Sequence, residues 1–189
     1  MTVLSDLFEK YGTDKARNEY TEMYEKILNR NARMRVLEIG IGTVIPSAYS
    51  TMAGFHLPGY TPGGSLRAFR DYCPHATFLG LDIQPDTQFR EERIETGICD
   101  TTDALAVARF FAWRGDEQFD LVIDDGGHHA EMQIATLVNF HAKVLKGGHY
   151  VIEDINGADS YVFHFWEQIV GPRFEMVERR VNALVLRKY

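Results

Sequence analysis

The sequence predicts an α/β fold in which helices cover both faces of a mostly parallel β-sheet. Short apolar runs rich in β-branched residues alternate with stretches whose apolar residues recur at helical spacing. Several of these runs stop abruptly at carboxylates, as buried parallel strands do where they meet a ligand crevice. Near the C-terminus two strand-like runs are only a few residues apart. That spacing leaves no room for a crossover helix and indicates an antiparallel hairpin.

Three strands are predicted in the first half of the chain. Residues 35–39 form the first strand, which leads into the turn Gly40-Ile41-Gly42. A short helix at residues 65–73 connects this strand to a second one at 77–82, and a third strand follows at 93–99. Because helices connect them, these strands are expected to be parallel, with their carboxyl ends at one edge of the sheet.

Two further strands are predicted to end at Asp124 and at Glu153. Thr102 suits the N-cap of the helix before the first of them, because its side-chain oxygen can accept a bond from a backbone N–H. The helix between the two strands is expected to end at Gly147 and Gly148, which would turn the chain into the second strand.

The hairpin is predicted from residues 174–178 and 183–186 and completes a seven-stranded, Rossmann-like mixed sheet. A chain of 189 residues fits one domain, so residues 1–189 are interpreted as a single unit. Residues 1–34 are expected to form an N-terminal helical cap on this domain.

Residues 43–64 form an irregular stretch with three prolines and four glycines. A loop of this length inside a compact domain is usually functional or disordered. Its aromatic residues Tyr49, Phe55 and Tyr60 favour a lid or a substrate wall, and we expect this loop to lie beside the active site.

Composition excludes several classes of function. Apolar residues make up 45% of the chain and charged residues 25%, as in ordinary globular proteins. The net charge is −7 and no run of Lys or Arg stands out, so a nucleic-acid partner is disfavoured. No apolar run approaches the ~20 residues that a membrane span needs, so no membrane partner is expected.

The two cysteines indicate a reducing compartment. Cys73 and Cys99 match neither a zinc spacing nor a disulfide framework, and two buried reduced thiols are expected. Residues 1–6 lack a basic region followed by an apolar core, so no signal peptide is expected. The sequence therefore favours a cytoplasmic protein.

One group of residues points to an adenosine ligand. Gly40 and Gly42 follow a strand directly, where glycines let a ligand approach the backbone closely. A dinucleotide fingerprint would place a third glycine at position 45, but Ile45 stands there, which disfavours an NAD enzyme. Asp82 ends the second strand, where a carboxylate can accept both ribose hydroxyls. Asp100 ends the third strand and can accept from an adenine amino group.

A second group points to a metal ion. Asp124 and Asp125 end one strand, and Glu153 and Asp154 end the next. Such a cluster is unfavourable unless a cation or a proton neutralises it. Asp125, Glu153 and Asp154 offer the hard oxygen ligands that suit Mg²⁺ or Mn²⁺. Adjacent strand residues point in opposite directions, so Asp124 is assigned to backbone hydrogen bonds or to the cofactor side.

A histidine pair follows the first acidic strand end. His128 lies three residues after Asp125, behind a Gly-Gly turn, and His129 is next to it. A histidine that titrates near neutrality beside a substrate site suits a general base. His128 is favoured over His129 for this role, and the choice between them stays open at this point.

These motifs resemble the metal-dependent class I S-adenosylmethionine methyltransferases that act on sugar hydroxyls, such as macrolide-sugar and polysaccharide-cluster O-methyltransferases. The resemblance covers most of the chain. The motifs that carry it are Gly12-Thr13-Asp14-Lys15, Tyr20-Thr21, Val36-Leu37-Glu38-Ile39-Gly40, Pro62-Gly63-Gly64-Ser65, Gly80-Leu81-Asp82, the run from Asp120 to His128, Gly147-Gly148 and Ile152-Glu153-Asp154.

The resemblance implies a role for each candidate residue. Asp125, Glu153 and Asp154 would be the Mg²⁺ ligands and His128 the catalytic base. Thr13 and Ser65 would reach the methionine end of the cofactor. The remainder of the cofactor pocket would be formed by Glu38, Gly40, Gly42, Asp82, Asp100 and Asp124. The extra N-terminal domain that some relatives carry is not expected in this chain, so their oligomeric contacts are not transferred to it, and a homo-oligomer stays open.

The sequence thus favours Mg²⁺-dependent O-methyl transfer from S-adenosylmethionine to a hydroxyl of a sugar or glycosylated natural product. Two alternatives stay open. The acceptor hydroxyl is that of a catechol or another small molecule, or the chain is a noncatalytic module that binds an adenosine ligand.

Overall fold

A single mixed β-sheet forms the centre of the molecule. The computed structural model describes residues 2–48, 51–54, 60–115, 117–157 and 160–189. The sheet strands are β1 (Arg35–Ile39), β2 (Thr77–Asp82), β3 (Arg90–Glu91), β4 (Ile94–Ile98), β5 (Phe119–Asp124), β6 (Val144–Ile152), β7 (Phe174–Arg179) and β8 (Leu184–Lys188). Among the described residues six α-helices accompany them: α1 (Val3–Lys10), α2 (Thr21–Ile27), α3 (Gly64–Tyr72), α4 (Ala104–Arg114), α5 (Ala130–Phe140) and α6 (Val162–Val170).

The strand order is β3-β4-β2-β1-β5-β6-β8-β7. The five strands from β4 to β6 pair in parallel, whereas β8 pairs antiparallel with both β6 and β7. In this register Ile39 pairs with Leu81 and with Asp124, and Asp124 pairs with Ile152. The predicted parallel sheet with an antiparallel C-terminal hairpin is confirmed, and the acidic strand ends lie side by side.

The sheet has eight strands, so the prediction of seven is wrong. The additional strand β3 has two residues and pairs antiparallel with β4. Arg93, with φ +62°, adopts the left-handed conformation that reverses the chain between them. A strand of two residues is too short to give an alternating pattern, so the sequence alone does not predict it.

Two element boundaries also differ from the predictions. Asp103 rather than Thr102 caps α4, because its side chain accepts a bond from the backbone N–H of Leu105 at 2.8 Å. Helix α5 ends at Phe140, and β6 already begins at Val144. Gly147 and Gly148 therefore lie within β6 and do not end the helix.

Helices cover both faces of the sheet, and each face has its own apolar core. On one face α1, α2 and α3 contribute Phe8, Tyr24 and Phe69, whose rings pack edge to face with centroids 4.9 to 6.5 Å apart. On the other face α4 and α5 contribute Phe111 and Phe140. The first core fixes the N-terminal segment against the carboxyl ends of the strands.

Two further features bear on the predictions for the chain as a whole. Both Cys73 and Cys99 are buried and form no disulfide. Among the described residues no helix combines the length and the apolar character that a membrane crossing needs.

Candidate active site

A cavity of about 600 Å³ opens at the carboxyl ends of the parallel strands. Its walls come from several strand ends, from the start of the 43–64 loop and from the N-terminal segment. The residues predicted from the sequence that line it are Thr13, Gly40, Gly42, Ser65, Asp82, Asp100, Asp125, His128 and Asp154. Residues that are far apart in sequence therefore share one cavity.

Glycine is required at two positions in the wall. Gly40 and Gly42 have φ of +78° and +77°, in the left-handed region that other residues rarely adopt. A Cβ atom at Gly40 would approach the carbonyl oxygen of Asp125 to 2.0 Å, and one at Gly42 would meet the hydroxyl of Tyr60. These glycines thus let β1, β5 and the loop approach one another around the cavity.

Asp82 and Asp100 lie on the same side of the cavity. Asp82 accepts backbone N–H bonds at 2.9 Å from Ile41 and from Gln84, one on each carboxylate oxygen. Asp100 accepts two bonds from Thr102 through its Oδ1 atom, at 3.0 and 2.7 Å. Backbone and neighbouring groups therefore hold both carboxylates at the cavity wall.

Three ionisable side chains meet on another side of the cavity. The Nε2 atom of His128 lies 3.5 Å from Asp125 Oδ1 and 3.7 Å from Asp154 Oδ2. One ligand atom from each residue lies within 4.8 Å of the others. His128 Nε2 is buried and has no hydrogen-bond partner among the described residues. Two carboxylates around an unpartnered imidazole nitrogen fit a divalent cation.

The surroundings of His128 and Asp125 favour the charged forms of these two residues. Burial lowers the pKa of His128, but contacts with Asp125 and Asp154 outweigh burial and raise the pKa above its usual range. Burial acts to raise the pKa of Asp125, but the charges of Lys15 and His128 hold it below its usual range. A negative carboxylate at Asp125 can therefore interact with a bound cation. His129 is exposed at the N-cap of α5 and does not line the cavity.

Three predicted site residues lie outside the cavity wall. The Glu153 carboxylate is fully buried, and Lys15 and Tyr24 donate hydrogen bonds to its two oxygens. Lys15 lies between the carboxylates of Glu153 and Asp125, and Glu153 is not part of the possible ligand group that Asp125, His128 and Asp154 form among the described residues. The assignment of Glu153 as a metal ligand stays a prediction. Asp124 is also buried, which raises its pKa to about 8, and it accepts a bond from the backbone of Gly126.

Glu38 is the third of these residues and lies directly behind the wall. Its Oε2 atom accepts a 2.7 Å bond from the hydroxyl of Ser65, and its Oε1 atom is 3.2 Å from the ammonium of Lys15. Glu38 therefore supports Ser65, which does line the cavity, and it has no direct access to a ligand there.

Lys15 has no predicted role in the site, although it contacts three buried or half-buried carboxylates. Its side chain is 1% exposed, and its ammonium contacts Glu38, Asp125 and Glu153. Burial lowers the pKa of Lys15, but the three carboxylates raise it well above its usual range. The lysine is therefore a buried cation. Its place in the Gly-Thr-Asp-Lys motif was visible, but the motif alone did not reveal its partners.

We expect the Lys15→Met variant to be less stable by about 3–5 kcal/mol, because it leaves buried carboxylates without their cation. Burial raises the pKa of Glu38 and of Glu153. A raised pKa in the folded state means that stability is lost as pH rises, so the deficit should shrink in acid. Denaturant unfolding at several pH values measures both effects. Lys10→Met, at an exposed surface pair, is the control that should change little, and equal losses would contradict this account.

The loop predicted to lie beside the site does contribute to the wall. Tyr60 lines the cavity and donates a 2.8 Å bond to the carbonyl of Gly42, and Thr51 and Met52 also line it. Tyr49 and Phe55 lie outside the described residues. Asn18 and Met132, which the sequence analysis did not single out, complete other parts of the wall.

Sequence comparison finds several related enzymes. The chain is 36% identical over 159 residues to demethylmacrocin O-methyltransferase of Streptomyces fradiae, an alignment that covers 80% of this chain and 36% of the relative. It is also 36% identical over 138 residues to a tetracenomycin-C rhamnosyl 3′-O-methyltransferase of Streptomyces olivaceus, with 72% of this chain and 32% of the relative covered. No protein-family model matches the chain.

Comparison of folds leads to the same group. The methyltransferase MycE of mycinamycin biosynthesis, solved in complex with Mg, SAH and mycinamycin VI, superposes with a TM-score of 0.75 at 26% identity. The superposition covers 99% of this chain and 53% of MycE, so the chain spans about a third to a half of the length of these relatives. The chain therefore belongs to the family of sugar O-methyltransferases and has the fold of the class I S-adenosylmethionine methyltransferases.

Proposed function

We propose that this chain transfers a methyl group from S-adenosylmethionine to a hydroxyl of a sugar or glycosylated natural product, with Mg²⁺ as a cofactor. One observation carries the proposal. A single cavity combines a glycine turn and two strand-end aspartates with the trio of Asp125, His128 and Asp154. The relatives supply the substrate class, because several of their names specify O-methylation of rhamnosyl tetracenomycin-C or of olivosyl-oleandolide.

The glycine turn and the two strand-end aspartates would form the adenosine end of the cavity. Gly40 and Gly42 leave room beside the backbone, while Asp82 offers carboxylate oxygens for ribose and Asp100 for the adenine amino group. Thr13 and Ser65 are assigned to the methionine end. Glu38 is buried and would hold Ser65 in place by accepting a bond from its hydroxyl. Asp124 is also buried and would contribute to the structure of the strand end and not to ligand binding.

Asp125 and Asp154 would hold the Mg²⁺, with Glu153 in the buried layer behind them. A bound divalent cation stabilises negative charge that develops on a substrate oxygen. His128 faces both aspartates and would take the proton from the acceptor hydroxyl, a contribution of typically ~10²–10⁴-fold. The cavity walls would align oxygen, methyl and sulfur.

Burial lowers the pKa of His128, but contacts with Asp125 and Asp154 raise it, and cation binding is expected to lower it. In the proposal, the protonation of His128 therefore depends on whether the metal ion is bound. A cation that balances the negative charge around the imidazole would favour the neutral form that a base requires.

Methyl transfer with isotopically labelled S-adenosylmethionine tests the proposal. The acceptors are a panel of glycosylated macrolides, the matching aglycones and simple catechols. We expect label on the sugar of a glycoside, loss of transfer in EDTA, and recovery when Mg²⁺ is added in excess. Label on catechols alone would favour a different acceptor, and transfer that persists in EDTA would overturn the role of the cation.

A noncatalytic adenosine module predicts a different result. Such a module would bind S-adenosylmethionine and raise its own unfolding temperature, but no acceptor would be labelled. Measuring thermal stabilisation by cofactor and by Mg²⁺ in the same protein sample therefore separates a binding module from an enzyme.

A further inference from the structure

Residues 13–24 are here called the N-terminal clamp. They contact Asp125 and Asp154 at the carboxylate oxygens that are not the ones nearest to His128. Lys15 Nζ lies 2.8 Å from Asp125 Oδ2, and the hydroxyl of Tyr20 lies 2.6 Å from Asp154 Oδ1. The other oxygen of each aspartate is the one nearest to His128 Nε2, at 3.5 and 3.7 Å. Each carboxylate therefore has one oxygen held by the clamp and one presented to the cavity.

Tyr20 makes two bonds to the same residue. Its hydroxyl donates to Asp154 Oδ1 and accepts a 3.1 Å bond from the backbone N–H of Asp154. The side chain is 1% exposed, so these bonds form away from bulk water. A single phenol thus fixes both the backbone and the carboxylate of Asp154.

The backbone of Asp154 needs such support. Its φ is +47°, a left-handed conformation that costs free energy in a residue with a side chain. Gln133 adds a 2.8 Å bond from its Nε2 atom to the carbonyl of the preceding residue, Glu153. The strained conformation turns Asp154 toward the cavity, while Glu153 remains buried on the other side with Lys15 and Tyr24.

We propose that Tyr20 is a positioning residue of the metal site, which acts by holding Asp154 in the left-handed conformation with Oδ2 toward the cavity. This inference rests on the proposed function, because it takes Asp154 as a ligand. Tyr20 does not touch the cavity itself and is therefore no catalytic residue. Residues that orient metal ligands typically contribute ~10–100-fold to metal affinity.

The test compares Tyr20→Phe with Tyr24→Phe. Both variants remove one buried phenolic hydroxyl from the clamp, but the hydroxyl of Tyr24 donates to Glu153, which does not line the cavity. Mn²⁺ affinity is measured by electron paramagnetic resonance without any methyl acceptor. We expect Tyr20→Phe to weaken Mn²⁺ binding ~10–100-fold and Tyr24→Phe to bind like the parent chain.

Two further measurements distinguish a specific effect on the metal site from a general destabilisation of the protein. In the Tyr20→Phe variant the affinity for S-adenosylmethionine measured without metal should be unchanged. Where transfer is measurable, its apparent KM for Mg²⁺ should rise while kcat at saturating Mg²⁺ is retained. Affinities are compared well below each variant's unfolding temperature, so that folding does not interfere.

The outcomes are distinct. Unchanged Mn²⁺ binding in Tyr20→Phe, or an equal loss in both variants, would overturn the positioning role and leave the proposed function intact. Absence of Mn²⁺ binding by the parent chain would overturn both. Loss of Mn²⁺ binding confined to Tyr20→Phe supports the inference.

Discussion

The His128→Ala variant is expected to lose methyl transfer by at least ~10²-fold, while its affinity for S-adenosylmethionine stays close to that of the parent chain. A sugar hydroxyl is barely ionised at neutral pH, so its attack on the methyl group requires a proton acceptor. His128 lines the cavity beside Asp125 and Asp154, and its Nε2 atom has no hydrogen-bond partner among the described residues. The assay measures kcat with a glycoside acceptor, and calorimetry measures cofactor affinity.

His129 provides the matched control for this experiment. It is the next residue in the chain, it is exposed at the start of α5, and it does not line the cavity. His129→Ala should therefore retain nearly full activity. If His128→Ala keeps its activity, or if the two variants lose equal activity, the assignment of His128 as the base is incorrect.

The second large effect is expected from Asp154→Asn. Asparagine has the same shape and tolerates the left-handed conformation, so the backbone at φ +47° should persist. The substitution removes one negative charge from the trio. We expect Mn²⁺ affinity to fall by more than the ~10–100-fold that is typical for residues outside the ligand shell, and methyl transfer to fall with it.

Asp100→Asn tests the opposite side of the cavity. This variant should weaken S-adenosylmethionine binding and leave Mn²⁺ binding unchanged, whereas Asp154→Asn should do the reverse. Calorimetry with the cofactor and resonance measurements with Mn²⁺ give both values for each variant. A loss of both affinities in either variant would mean that the two sides of the cavity are not independent.

The strand ends explain why so much of the site was visible in the sequence. Parallel strands place their carboxyl ends at one edge, so the order of apolar runs was enough to bring Gly40, Asp82, Asp100 and Asp125 together. Strong β-branched runs and short connections identify such strands without tertiary information. The two-residue strand β3 has no pattern of this kind and depends on its pairing with β4.

The different positions of Glu153 and Asp154 could not be predicted from the order of the strands. Two adjacent carboxylates after one strand look equivalent in sequence, but only Asp154 lines the cavity. Their difference depends on a left-handed backbone at Asp154 and on a buried lysine that binds Glu153. Lys15 and Tyr20, which bind Glu153 and Asp154, lie in the N-terminal segment, 138 and 134 residues earlier in the chain than their partners. Contacts over that distance are set by tertiary packing and leave no periodic signal.

Lys15 illustrates the same point. A lysine is rarely buried without a partner, and nothing in the local pattern marks this one as buried. Its three carboxylate partners lie on β1, at the end of β5 and after β6, so they come together only when the sheet forms. The sequence shows the excess of negative charge at this edge and predicts that a cation or a proton neutralises it. Part of that compensation comes from Lys15, within the chain itself.

The central claim is that one cavity binds both the cofactor and the cation. A crystal structure of the chain grown with S-adenosylhomocysteine and Mn²⁺, with anomalous scattering recorded for manganese, tests it directly. The account predicts an anomalous peak beside Asp125 Oδ1 and Asp154 Oδ2, with the adenosine against Gly40, Asp82 and Asp100. A peak at another place, or a nucleoside bound outside this cavity, would contradict it.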